Sequence, residues 1–163
     1  MPSIIIICTA NMVRSPIAEA LLRLKLNHKY DTENLVVGSA GTWTVMDRPV
    51  VAKTQEVMQR IYGIDLSDHR SRLVSRSLLR PFDLILVMEA GQKEALWTEF
   101  PEMASRIYLL YEMIGRVRNV GDPIAGTTKD FEETAREIDD ILTRGLERIA
   151  HLARGEKMGE DAP

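Results

Sequence analysis

Cys8 and Arg14 stand six positions apart in the stretch ICTANMVRSP, Ile7 to Pro16, and Ser15 follows the arginine directly. These residue types at this spacing suit one kind of chemistry. Backbone N–H groups from Thr9 to Ser15 can curl around a single point. The first N–H groups of a following helix aim at the same point, with the positive end of the helix dipole behind them. Such a loop is an anion site suited to phosphate. A cysteine at its start places sulfur inside the ring of donors, a field that favours the thiolate, the form that attacks. An arginine at its end can fold back and offer a planar fork to two phosphate oxygens, which lysine does less well. The plainer account is a core thiol after an isoleucine run and an arginine in a surface ion pair. Buried cysteines of that kind are usually inert. The strand before the loop, the helix after it, Ser15 and Pro16 favour the nucleophile.

A loop of this kind needs a rigid mount. Ile4 to Ile7 form an unbroken β-branched run, the pattern of a strand buried on both faces in a parallel sheet. Pro16 sits where a first helical turn tolerates proline. Ile17, Leu21 and Leu24 then predict an amphipathic helix to about His28. Leu35–Val37 predicts a second strand, ending in GSAGT, Gly38–Thr42. Val50 to Tyr62 reads as a helix with Val50, Thr54, Val57, Met58 and Ile61 on one face and Gly63 placed to end it. Asp68–Phe82 reads as loop plus a short helix, and Asp83–Met88 as a third buried strand. A helix follows from about Gly91 to Phe100, stopped by Pro101. Arg106–Leu110 is a fourth strand, Tyr111 to Thr127 a long loop, and about Lys129 to Ala153 the last helix. Phe131, Ala135, Ile138, Leu142, Leu146 and Ile149 give that helix an apolar stripe. Strands alternating with helices predict an α/β fold, a four-stranded parallel sheet with helices on both faces in a flavodoxin-like three-layer arrangement. Crossovers should be right-handed, and ligands should bind at the carboxyl ends of the strands, where Cys8 lies. The expected organisation is one domain, residues 1–153, and a polar tail, 154–163.

Bulk properties narrow the setting. A chain of 163 residues with 45% hydrophobic and 28% charged residues has the make-up of a soluble globular domain. The net charge of −3 provides no global field for nucleic acid or an anionic membrane. One cysteine cannot close an internal disulfide, which fits a reducing compartment. MPSIIIIC has no basic leader, and no apolar run approaches the roughly 20 residues needed to cross a bilayer. The expected location is the cytoplasm, with no nucleic-acid partner and no membrane span. Three scattered histidines, His28, His69 and His151, offer no metal-ligand cluster, so neither metal nor other cofactor is expected.

CTANMVRSP resembles the signature loop of the low-molecular-weight protein tyrosine phosphatases, a Cys-x5-Arg-Ser-Pro loop with asparagine fourth, here Asn11. SAGT at Ser39–Thr42 is similar to the family's segment after the second strand. GIDLSDHRSR, Gly63–Arg72, resembles its Gly…His-x-Ala/Ser-Arg segment. DLILVME, Asp83–Glu89, resembles its third-strand motif, and Asp122–Pro123 its late Asp-Pro. The five motifs run in order over about 120 residues.

The resemblance implies a metal-independent phosphomonoester hydrolase, a protein tyrosine phosphatase working through phosphocysteine. Its substrate would be a phosphotyrosine-containing protein or small aryl phosphate, and its product inorganic phosphate. Cys8 would attack phosphorus in line. Arg14 and the amides of Thr9, Ala10, Asn11, Met12, Val13 and Ser15 would hold the equatorial oxygens, and Asp122 would protonate the leaving phenolate. Asp122, then a carboxylate, would draw a proton from the water that hydrolyses the intermediate. Taken locally, Asp122 is a turn residue between Gly121 and Gly126, and the two roles coexist. Ser15 would stabilise the thiolate. Asn11, Ser15, Ser39 and His69 would form a network that holds the loop; taken alone, His69 reads as a surface histidine and Ser39 as a turn former.

The chain departs from the family at four places. Ala10 replaces the usual glycine; if that backbone needs a positive φ, alanine costs about 1 kcal/mol. Val13 replaces a frequent second cysteine, so no disulfide can form within the loop. Ile124 replaces the tyrosine that often follows Asp-Pro, losing an aromatic cleft wall and a phosphorylation site. Trp43 comes earlier than the usual wall aromatic and is either wall or core. Three rivals remain. An arsenate reductase would need external thiols, because the chain has no cysteines for a relay. A phosphocysteine carrier would not keep Arg14 and Asp122. A phosphate-binding module without turnover would not need Cys8, Arg14 and Asp122 together.

Overall fold

The computed structural model describes residues 2–30 and 35–156. Strand β1 is Ser3–Cys8, and all six residues are buried. Ile5 and Ile7 pack on Leu79, Phe82, Leu96 and Phe100. Ile4, Ile6 and Cys8 belong to the opposite layer, with Ile17, Leu21, Phe131 and Ile138. Successive side chains of a strand face opposite ways, so a run without polar residues is what a strand covered on both sides requires. Burial of each isoleucine stabilises by about 1.5–3 kcal/mol.

The other elements are α1 (Arg14–Lys29), β2 (Val36–Gly41), α2 (Ala52–Tyr62), α3 (Arg76–Leu79), β3 (Leu84–Val87), α4 (Ala90–Glu99), β4 (Ile107–Leu109) and α5 (Thr128–Ala153). The sheet is parallel throughout, in the order β2-β1-β3-β4. The chain leaves β1 toward β2, then crosses β1 to place β3 on its other side. That reversal opens a crevice at the carboxyl ends of β1 and β3, where Cys8 and Met88 lie.

Sequence and structure differ in several details. Helix α1 begins at Arg14, two residues before Pro16, so Arg14 and Ser15 form its first turn. Leu24, expected on the buried face, is 52% exposed. The buried arc is Ile17, Ala18, Leu21, Leu22 and Leu26, and at 100° per residue Leu24 falls past its edge. GSAG lies inside β2 rather than after it. The guanidiniums of Arg23 and Arg72 donate to the carbonyls of Val37 and Ser39, blunting the outer edge of that strand. The long loop after β4 opens with a 3-10 turn, Leu110–Ile114, whose Glu112 carboxylate accepts from the Leu109 N–H. Helix α2 ends as expected at Gly63, whose φ of 65° and Schellman-type bonds to Gln59 and Met58 close it. Of the tail expected at 154–163, residues 157–163 lie outside the described residues. Among the described residues no helix is long and apolar enough to cross a membrane.

Candidate active site

Six consecutive carbonyls, from Cys8 to Val13, turn away from the Cys8 sulfur and are each accepted elsewhere. Thr42 N–H donates to Cys8 O, Trp43 N–H to Thr9 O and Val51 N–H to Met12 O, and Ile17 N–H donates to Val13 O. Thr44 Oγ1 donates to Ala10 O at 2.6 Å, and His69 Nε2 meets Asn11 O at 2.7 Å. Because a carbonyl oxygen only accepts, His69 carries its proton on Nε2 in this contact. A planar trans peptide points its N–H opposite to its C=O. Outward carbonyls therefore aim the amides of Thr9 through Arg14 inward. The Asn11 N–H, 3.3 Å from Cys8 Sγ, shows that direction. The result is an anion nest at the start of α1.

The conformational demand falls on Asn11 rather than Ala10. Asn11 has φ 57°, a left-handed value asparagine tolerates, and Ala10 is not among the positive-φ residues. The expected cost of alanine at position 10 is therefore absent. The Asn11 side chain is fully buried. Its amide donates to Ser15 Oγ and Ser39 Oγ at 2.9 Å each, and its carbonyl accepts from Arg72 N–H at 2.9 Å. Since Ser15 Oγ receives Asn11's proton, its own hydrogen is free for Cys8 Sγ at 3.0 Å, nearer than Ala40 O at 3.5 Å. A sulfur contacted by two donors is suited to the anionic form. Asn11, Ser15, Ser39 and His69 thus lie together around the loop.

Arg14 is 2% exposed. Its Nη1 bonds Val120 O at 2.8 Å and pairs with Glu89 Oε1 at 3.1 Å. Its Nη2 lies 3.4 Å from both Thr9 Oγ1 and Asp122 Oδ2. A guanidinium this buried would be costly unpaired. These contacts bring Arg14, at the end of the Cys8 loop, together with Asp122, 108 positions further on. Asp122 Oδ1 accepts from Ile124 N–H at 3.1 Å, the turn contact expected of this residue, while Oδ2 faces Arg14. Trp43 is 83% exposed, which excludes the core alternative; its own N–H bonds the loop at Thr9. Ile124 is 53% exposed, and Val13 is buried.

Four residues of the site were not singled out from sequence. Glu89 closes a capping box on α4 with Gln92 while pairing Arg14. Gln92, 6% exposed, donates to Thr9 Oγ1 at 3.1 Å and accepts from the Met88 and Glu89 N–H groups. The motif DLILVME contained Glu89 without marking its partner. Glu19 accepts from Ser39 Oγ at 2.5 Å and extends the Asn11 network onto α1. Gly41 is the fourth: a Cβ there would sit 2.4 Å from Thr9 O and 3.0 Å from the Ala10 carbonyl carbon. Both obstacles are backbone. Gly41→Ala is expected to push the loop aside, lowering the melting temperature by about 3–10 °C and turnover with it. Calorimetry beside a phosphatase assay checks this; an unchanged melting temperature and rate would mean the loop yields freely. Among the described residues no three His, Cys, Asp or Glu are grouped to hold a metal ion.

Residues 3–155 match the family model described as low molecular weight phosphotyrosine protein phosphatase. The chain is 33% identical over 150 residues to the protein named probable low molecular weight protein-tyrosine-phosphatase EpsP of Ralstonia nicotianae, covering 92% of this chain and 97% of that one. It is 28% identical over 141 residues to the protein-arginine-phosphatase of Bacillus subtilis, covering 85% and 91%. The crystal structure of a low molecular weight protein tyrosine phosphatase from T. tengcongensis superposes with TM-score 0.84 at 29% identity, over 91% of this chain and 99% of that one.

Proposed function

Because the chain belongs to the low molecular weight phosphotyrosine protein phosphatase family, we propose that it hydrolyses phosphotyrosine in proteins, with Cys8 as nucleophile, Arg14 as phosphate clamp and Asp122 as acid. The observation that carries this reading is the approach of Arg14 to Thr9 of the cradle and to Asp122 through one guanidinium nitrogen. In the first step Cys8 Sγ forms a bond to phosphorus as the P–O bond to the aryl oxygen breaks, and Asp122 gives that oxygen its proton. In the second, water attacks the phosphocysteine, its proton passes to Asp122, and the thiolate leaves with inorganic phosphate released. Catalysis rests on donors already aimed where charge gathers on the equatorial oxygens.

Two exposed apolar side chains support an aryl substrate. Trp43 projects from backbone bonded to the loop, and Ile124 from backbone bonded to Asp122. We place them as the cleft walls. Likeness to an arginine phosphatase gives phosphoarginine the second place. A single cysteine and the absence of a membrane-crossing helix among the described residues support a cytoplasmic setting. We take residues 1–153 as one catalytic domain and 154–163 as its tail.

Rapid-quench trapping of the phosphoenzyme tests the substrate. Peptides carrying phosphotyrosine, phosphoserine or phosphoarginine would be compared in one assay. Phosphocysteine at Cys8 should build up fastest from the phosphotyrosine peptide. Faster labelling from phosphoarginine would reassign the substrate, and no labelling from any peptide would remove the covalent mechanism.

A further inference from the structure

The direction of the hydrogen bonds around Thr9 is fixed from one end. The N–H groups of Met88 and Glu89 can only donate, and both meet Gln92 Oε1 at 3.1 Å. Those contacts assign oxygen to one end of the Gln92 amide and nitrogen to the other. The nitrogen, Nε2, therefore donates to Glu89 Oε2 and to Thr9 Oγ1, each at 3.1 Å. Gln92 is 6% exposed, and its amide is held by four bonds inside the capping box of α4, so it has no freedom to turn over.

Thr9 Oγ1 is thus an acceptor from Gln92. Its other neighbour is Arg14 Nη2 at 3.4 Å, and a guanidinium has no acceptor to offer. A hydroxyl has two lone pairs and one hydrogen. Here the lone pairs face two donors, and among the described residues no acceptor takes the hydrogen. Donors on both lone pairs polarise the O–H and strengthen it as a donor in turn.

The hydroxyl also stands beside the right nitrogen. Arg14 Nη1 is committed to Val120 O at 2.8 Å and Glu89 Oε1 at 3.1 Å. Nη2 has only its two contacts at 3.4 Å, and so is the nitrogen left for a phosphate oxygen. The plainer account is a threonine that holds the loop in shape. The loop's carbonyls are held by other residues, however, and the Thr9 hydroxyl donates to none of them.

We propose that the Thr9 hydroxyl is a further catalytic group, donating a hydrogen bond to an equatorial oxygen of the phosphoryl group, with Gln92 as the positioning residue that aims it. The assignment rests on the phosphatase reading above and adds a side-chain donor to the backbone amides. The proton stays on Thr9 throughout. A donor oriented before the substrate arrives needs no rearrangement as charge gathers on that oxygen.

Thr9→Val keeps the shape of the side chain and removes the O–H. It should lower kcat/KM by about 10- to 100-fold, the loss expected for a hydrogen bond to a charged oxygen. The factor should be the same for good and poor leaving groups, and vanadate should bind more weakly by a similar factor. Thr9→Ser should recover most of both losses. Gln92→Glu is the sharper check. A carboxylate keeps an oxygen for the Met88 and Glu89 N–H groups and turns the other to Thr9, which then donates its hydrogen away from the cradle. In the Thr9→Val background that substitution should cost less, so the two combine less than additively. The assignment is overturned if Thr9→Val matches the wild type in turnover and vanadate affinity. It is also overturned if Thr9→Ser falls as far as Thr9→Val, which would make packing the cause, or if the loss is confined to poor leaving groups, which would give the hydroxyl to Asp122. Vanadate separates this assignment from the phosphatase reading. An inactive wild type whose vanadate affinity still falls with Thr9→Val would remove hydrolysis and keep the contact.

Discussion

Cys8→Ser is expected to lower p-nitrophenyl phosphate turnover by about four orders of magnitude or more while leaving phosphate or vanadate binding largely intact. The size follows from the role, since loss of a covalent nucleophile removes a whole reaction path. A serine hydroxyl there finds no base: its neighbours are the Ser15 hydroxyl and the Asn11 N–H, both serving as donors to sulfur. Binding should survive because the cradle's shape does not depend on the sulfur. The carbonyls are anchored by Thr42, Trp43, Thr44, Val51 and His69, and Arg14 by Glu89 and Val120. Steady-state assay and calorimetric titration of vanadate on one preparation separate the two effects. Undiminished turnover would end the role of Cys8, and lost vanadate binding would mean that the sulfur shapes the loop.

Asp122→Asn should slow substrates with poor leaving groups by about 100- to 10,000-fold and those with good ones far less. A phenolate of high basicity needs a proton as it departs; a nitrophenolate does not. Asparagine keeps the size of the side chain and one oxygen, enough for the Arg14 or the Ile124 contact but not both, and has no acidic proton. The diagnostic is the slope of log kcat/KM against leaving-group basicity, which should steepen in the variant. A uniform drop across the series would assign Asp122 to positioning of Arg14 instead.

Much of this was legible before any coordinates. The isoleucine run and the strand–helix alternation specified a parallel sheet, because a strand covered on both faces has no place for polar residues. Cys8 and Arg14 were readable because the loop that joins them is local. Asn11, Ser39 and His69 came through resemblance alone, since their bonds span up to 61 positions and no periodicity encodes them. Glu89 and Gln92 were missed for the same reason: their partners, Arg14 and Thr9, sit across β1 and β3. Leu24 misled because apolar spacing gives a helix face only to within its width. Ala10 drew attention that belonged to Asn11, because sequence reveals which residues tolerate a left-handed backbone but not which one adopts it.

The donors that grip the loop's carbonyls from outside its own helix all come later in the chain than the loop itself, from Thr42 to His69, and Glu89 and Asp122 come later still. During synthesis Cys8 emerges before all of these. At that moment its surroundings do not exist, and it is an ordinary thiol on a nascent polypeptide. The proposed nucleophile has its full set of neighbours only when the third strand has slotted in beside the first and Asp122 has come up to Arg14. An incomplete chain therefore exposes no working phosphatase centre, and turnover is in itself a certificate that synthesis and folding have finished.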